Sequence, residues 1–297
     1  PRCGTAISQH EILTEDYKEI SHQSIYLKYP IKDRQNESLL VWTTTPWTLP
    51  GNVAVAVDKD KEYAMSEIDG EIVYLLPSAA EKLRLTIKEK ISGEKLVDLE
   101  YSSPFDELER IKNTFGSYKH KVIATDNLIL PVSEEEGTGL IHIAPGCGSE
   151  DFQLGKKYQL PVIELIDEEA VYLDNLGEFS GQNAKKHPEI VLDYIAKINP
   201  KYILKIVPIN HRYPACWRCK SELVWRVVDE WYISMDPLRE PLKEVTKKIN
   251  WIPKFGLKRE IDWLDNMHDW LISKKRYWGL ALPIWECSCG NFEVIGS

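Results

Sequence analysis

No stretch of the 297 residues is apolar over the length that spans a bilayer, and no charged-then-apolar leader opens the chain. Membrane insertion and secretion are therefore not expected, and a cytoplasmic setting is. Net positive charge is missing too: 37 lysines and arginines face 46 aspartates and glutamates, a net charge of −9. Bulk electrostatics cannot hold a polyanion on such a chain, so any RNA contact is local or depends on a further part of the protein. Internal repeats and low-complexity segments are absent, which excludes a solenoid and a disordered linker. What remains is a globular composition, 43% hydrophobic and 28% charged, in a chain long enough for more than one domain. Its six cysteines could form three disulfides. Their close spacing, Cys216-Trp-Arg-Cys219 and Cys287-Ser-Cys289, points instead to metal or redox chemistry in a reducing compartment.

Periodicity predicts many short strands and few helices. Strands are expected at residues 24–29, 39–45 and 52–57, and a hairpin at 62–67 and 70–76 turning on Asp69-Gly70. A short helix is expected over 78–85, capped by Ser78, then strands at 87–91, 122–124 and 140–143. Helices follow at 150–158, begun at Ser149, and at 187–198, and a strand at 202–207 leads into the first cysteine pair. The result is a β-rich α/β domain from about Ser24 to about Val207. An amphipathic helix over 238–249 and a tryptophan-rich stretch to Trp285 follow.

Two stretches concentrate chemistry. Val41 to Asn52 reads Val-Trp-Thr-Thr-Thr-Pro-Trp-Thr-Leu-Pro-Gly-Asn. β-branched residues favour extended backbone, and Pro46 keeps Thr45 out of the helical region, so the strand stops abruptly with hydroxyls alternating across two faces. Gly137 to Asp151 carries glycines and one proline around His142, and ends where a helix begins. On the residues alone, Asp151 reads first as a first-turn acid favoured by the helix dipole, and His142 as a satisfied core histidine.

The order of residues goes further. Trp-Thr-Thr-Thr-Pro-Trp-Thr-Leu-Pro-Gly-Asn, followed by His-Ile-Ala-Pro-Gly and Glu-Asp, resembles the editing-domain signatures of isoleucyl-tRNA synthetases, and the resemblance covers nearly the whole chain. Valyl and leucyl enzymes carry Thr-Thr-Arg-Pro at the first place, so Thr45-Pro46-Trp47 favours the isoleucyl branch. The resemblance implies an editing domain (connective peptide 1) with a β-barrel-like core and peripheral helices, plus a zinc-ribbon-like connector. It implies that Asp151 anchors the α-amino group of a mischarged amino acid, and that His142 with Thr43, Thr44 and Thr45 positions the ester and a water. Trp47 and Tyr213 are expected to narrow the side-chain pocket. Cys147 stands where many members have histidine or an aromatic. No neighbour that would lower its pKa is evident, so it is read as structural or pocket-lining.

Cys216 and Cys219 have the spacing that sets two thiolates on one tetrahedral ion, the alternative being a simple cysteine pair. Pro1 to Thr5 resembles a zinc-ribbon knuckle, so Cys3 is the expected third ligand of a structural zinc. In the family its partner lies three residues earlier, ahead of Pro1, which leaves the site incomplete and the chain reading as a piece of something longer. Cys287 and Cys289 resemble half of a second ribbon. The segments implied are 1–23 and 208–249 as connector, 24–207 as editing domain, and 250–297 as the start of the second half of a class I nucleotide-binding domain. The ATP-binding histidine-glycine signature is absent, so ATP belongs only to the full-length enzyme. Expected partners are the 3′ end of an isoleucine-accepting tRNA, valine and isoleucine moieties, and the rest of the synthetase chain. The rival readings are a valyl or leucyl editing domain, and a zinc-bearing tRNA-docking module without catalysis.

Overall fold

The computed structural model describes residues 4, 6–7, 11–12, 17–273 and 281–296, and the chain divides into two compact units, Pro1–Val227 and Val228–Ser297. In chain order the first unit holds β1 (Tyr17–Pro30), β2 (Glu37–Thr43), a 3-10 turn (Pro46–Gly51), β3 (Ala54–Val57), β4 (Glu62–Ile68) and β5 (Glu71–Leu75). Then come α1 (Pro77–Lys82), β6 (Ile87–Ser92), α2 (Glu109–Phe115), β7 (Lys121–Ala124), β8 (Ile141–Ile143), α3 (Ser149–Tyr158), α4 (Glu189–Ile198) and β9 (Ile203–Pro214).

Six strands form one sheet in the order β6-β4-β5-β2-β1-β9, and three form a second in the order β7-β3-β8. Asp69 and Gly70 both take positive φ and join β4 to β5 in a two-residue turn, as their types favour. β3 reads Ala-Val-Ala-Val and is buried at every position, because β7 and β8 flank it and both its faces are covered. The core between the sheets is filled by Ile25, Leu27, Leu39, Val41, Leu49 and Val55, among others, all without solvent exposure.

The strand-rich α/β class expected from sequence is the class observed. The barrel-like core is not: among the described residues neither sheet closes on itself, and β6 and β9 remain as the two edges of the larger one. Its ends are held apart because the chain turns back on β1 with β9 rather than carrying β6 round to meet it. The helix expected over 78–85 starts one residue earlier, since Pro77 occupies its first turn and Ser78 lies inside rather than at the cap. α2 was not expected at all. β1 and β9 run as one antiparallel ribbon, from Tyr17 opposite Pro214 to Leu27 opposite Ile203.

The second unit contains β10 (Tyr232–Ile233), α5 (Asp236–Thr246), α6 (Gly256–Asp265), β11 (Trp270–Leu271), β12 (Ile284–Glu286) and β13 (Phe292–Val294). Arg239 ties α5 to the end of α6 by donating from Nε to the Leu264 carbonyl (3.0 Å) and from a terminal nitrogen to the Met267 carbonyl (2.7 Å). Cys287 and Cys289 sit together in the turn between β12 and β13. Among the described residues no helix is long and apolar enough to cross a membrane.

Candidate active site

β2 ends at Thr43, and the chain is redirected at Thr45-Pro46 into the 3-10 turn. The Thr43 and Thr45 hydroxyls lie 3.2 Å apart, and Thr43 Oγ1 accepts from the Thr45 N–H (3.1 Å). The expected alternation therefore holds: the first and third threonines meet on one side.

What fixes this loop is His142. Its Nδ1 lies 2.8 Å from Asn52 Nδ2, and its Nε2 lies 3.1 Å from Thr48 Oγ1. Asn52 Nδ2 can only donate, so Nδ1 accepts and the ring hydrogen sits on Nε2, donating to Thr48. Thr48 in turn donates to the Thr45 carbonyl (2.9 Å), Asn52 Nδ2 also donates to the Ala54 carbonyl (2.9 Å), and the Tyr101 hydroxyl donates to Asn52 Oδ1 (2.6 Å). Every polar group of this buried network is satisfied, which makes the loop rigid. His142 is 8% exposed, and burial pushes its pKa down to about 4, so it is a neutral imidazole near pH 7. It acts on the threonines from beneath, through Thr48, with both ring nitrogens engaged.

Asp151 sits in the first turn of α3, half-buried. Its Oδ2 accepts from the Ala144 N–H (2.9 Å), two residues beyond His142. Burial raises its pKa to about 6, against the lowering pull of that bond. The glycines around it leave little room for a side chain, and at Gly146 none. A Cβ on Gly148 would stand 3.1 Å from the Asp151 carboxyl carbon, and one on Gly146 would stand 2.1 Å from the Ile163 carbonyl oxygen. The 3-10 turn packs on the same place, because a Cβ on Gly51 would lie 3.6 Å from the Ala144 methyl. Cys147 is buried, and burial followed by the nearby Asp151 charge drives its pKa far up, so it is an inert thiol lining the interior.

A cleft of about 200 Å³ opens beside the threonine loop. Thr44, Thr45, Pro46 and Trp47 form one wall, residues 21–23 of β1 another, and Lys185, Pro188, Glu189 and Leu192 the third. Trp47 is 4% exposed; its carbonyl accepts from the Tyr172 hydroxyl (2.8 Å), while its indole N–H has no partner of good hydrogen-bond geometry. The buried Tyr213 hydroxyl lies beside that N–H and donates to the Leu223 carbonyl (3.1 Å). Thus Trp47 and Tyr213 are brought together, Thr44, Thr45 and Trp47 line the cleft, and Thr43, His142, Asp151 and Tyr213 stand outside its lining. Thr48, Asn52 and Tyr101 escaped the sequence reading. Thr48 and Asn52 lay within the motif itself, but nothing in the sequence pointed to Tyr101.

Cys216 and Cys219 follow β9 in a tight turn, where the Cys219 N–H points to Cys216 Sγ (3.5 Å) and Lys220 takes positive φ. A backbone N–H directed at sulfur suits a thiolate pair that could hold a metal. Cys3 lies outside the described residues. Among those described, no group of three or more metal-ligating side chains forms.

Comparison with known proteins shows the class to which this chain belongs. The family model for class I tRNA synthetases (I, L, M and V) matches residues 1–295, and the chain belongs to that family. Within it, the curated relatives include the isoleucine–tRNA ligase of Clostridium novyi, 39% identical over 100% of this chain, and that of Methanothermobacter thermautotrophicus, 38% identical over 100%. The chain spans 28% of the length of each of these relatives. Among solved structures, that of GlLeuRS-CP1 is 14% identical with a TM-score of 0.48, covering 61% of this chain and 96% of that one.

Proposed function

We propose that this chain is the editing region of an isoleucyl-tRNA synthetase, working in the cytoplasm, and that the threonine-loop cleft hydrolyses valine from mischarged isoleucine tRNA. The observation that carries the reading is the joining of two motifs some ninety residues apart in sequence, through the bonds from His142 to Thr48 and Asn52.

The need for such a site is physical. One methylene distinguishes isoleucine from valine, worth about 1–3 kcal/mol in an apolar pocket, and this pair is the standard illustration of that limit. A second, smaller site removes what passes the first. Here Trp47, with Tyr213 packed beside it, narrows the space, so valine enters and the extra methylene of isoleucine meets rigid walls. By the family resemblance Asp151 takes the α-ammonium, which requires substrate to reach beyond the cleft lining to its carboxylate, and an ammonium there would bring its raised pKa back down. The ester is already activated, so positioning of water by Thr43, Thr44 and Thr45 accounts for much of the chemistry. His142 holds those threonines in place.

Cys216 and Cys219 would hold a structural zinc together with Cys3 and a donor supplied from elsewhere; its part is to fix the turn, not to react. The test of the reading is incubation of the chain with Val-tRNA and Ile-tRNA of the isoleucine acceptor, following release of each amino acid. Selective release of valine is expected. Release of both would refute the specificity, and release of neither would refute the hydrolase.

A further inference from the structure

Ester hydrolysis throws negative charge onto the carbonyl oxygen, and no side chain assigned so far is a cation. The threonines are neutral, His142 is a neutral imidazole, and Asp151 is itself acidic. Among the described residues lining the cleft, Lys185 is the only lysine or arginine. Its side chain is 17% exposed and tightly placed. The ammonium is ion-paired to Glu222 and stands 4.5 Å from the centre of the Tyr213 ring, the same tyrosine that flanks Trp47. Asn183 Oδ1 accepts from the Lys185 N–H (3.1 Å) and the Lys186 N–H (3.0 Å), fixing the backbone at the base of the side chain.

Glu222 is braced in turn. His22, another lining residue, places Nε2 3.1 Å from its carboxylate and Nδ1 2.9 Å from His211 Nε2. These two contacts hold His22 between Glu222 and His211 and so fix the carboxylate that faces the ammonium. One lysine and one glutamate then balance, until charge develops in the cleft. An ammonium has three hydrogens; Glu222 and the tyrosine face occupy two directions.

We propose that Lys185 stabilises the oxyanion of the reacting ester, a role that rests on the editing reading above. The water oxygen bonds to the carbonyl carbon as the π pair moves to the carbonyl oxygen, beside the ammonium. Collapse breaks the bond to the ribose oxygen, which leaves as a hydroxyl with one of the water's protons. The other proton is released as the carboxyl group of valine ionises, and Lys185 neither gains nor loses one. A fixed charge in a partly enclosed cleft needs no reorganisation when the oxyanion forms, which is the condition for strong stabilisation.

The test is single-turnover release of valine from Val-tRNA by excess chain, with Lys185→Met, Lys185→Arg and the exposed neighbour Lys186→Met. Lys185→Met is expected to lower the saturating rate on the order of 10²-fold at an unchanged half-saturating concentration. Lys185→Arg should recover most of that loss, and Lys186→Met should leave the saturating rate unaltered. If Lys185→Met does not fold by circular dichroism, Glu222→Gln replaces it, with a smaller fall in saturating rate expected. An unchanged saturating rate with raised half-saturation and a weaker salt dependence would assign Lys185 to an RNA phosphate and overturn the proposal. No change in either quantity would overturn it as well. An unsubstituted chain that releases no valine would refute the editing reading itself.

Discussion

Asp151 carries a cost that substitution should expose. Its carboxyl is raised from 3.8 to about 6 by burial in the folded chain. A carboxylate with a raised folded pKa destabilises the fold at high pH, and that penalty disappears as pH falls through 6 toward 3.8. The difference, 6 − 3.8 = 2.2, corresponds to at most about 3 kcal/mol at 1.36 kcal/mol for each unit. Asp151→Asn keeps an oxygen to accept the Ala144 N–H and loses only the charge. Urea unfolding followed by circular dichroism should show the variant more stable than the parent at pH 8, by up to about 3 kcal/mol, and equal to it below pH ~4. Valine release should be lost in the same variant, because the ammonium has no counter-charge. Gain of stability with loss of activity is the expected mark of a functional group held against its own solvation. A variant no more stable than the parent at pH 8 would refute the argument that burial strains this carboxylate.

His142 works with the opposite sign: its folded pKa of about 4 lies below the ordinary 6.5, so stability present above pH 6.5 is lost as pH falls toward 4. The Asp151→Asn chain should therefore weaken by about 3 kcal/mol over that window, measured by urea midpoints, where the parent changes less because Asp151 offsets it. Gly146→Ala should cost about 3 kcal/mol, since its methyl meets the Ile163 carbonyl at 2.1 Å, and thermal unfolding will register it. Tyr101→Phe should cost about 1–3 kcal/mol by leaving Asn52 Oδ1 without its donor, and valine release should slow as the threonine loop loosens. Zinc measured by native mass spectrometry should fall on Cys216→Ser, and an unchanged metal content would remove that cysteine from the ligand set.

Local pattern made the hairpin at Asp69-Gly70, the buried run Ala54–Val57 and the helix from Ser149 legible, because each depends on neighbours in sequence. Register across long gaps was not. Nothing near residue 101 announces that its hydroxyl will reach Asn52, and nothing near residue 185 announces that this lysine will line the same cleft as Thr44. α2 was missed because Glu109–Phe115 buries only Ile111 and so carries almost no apolar period. The motif placed His142 beside the threonines. It could not show that both ring nitrogens would be engaged, because that follows from the turn of residues 46–51 bringing Thr48 and Asn52 to the two sides of one ring.

The ribbon of β1 and β9 has a topological consequence. Tyr17 and Pro214 stand opposite each other, so the chain enters and leaves the sheet on adjacent strands, about 5 Å apart at each paired position. Nearly two hundred residues therefore occupy, at their root, the width of one strand pair. A host fold would have to part a single loop to carry such a module, and a short turn bridging the two strands would close the gap if it were deleted. The activity proposed for it could then be gained, moved or discarded as a unit without rethreading the protein that bears it.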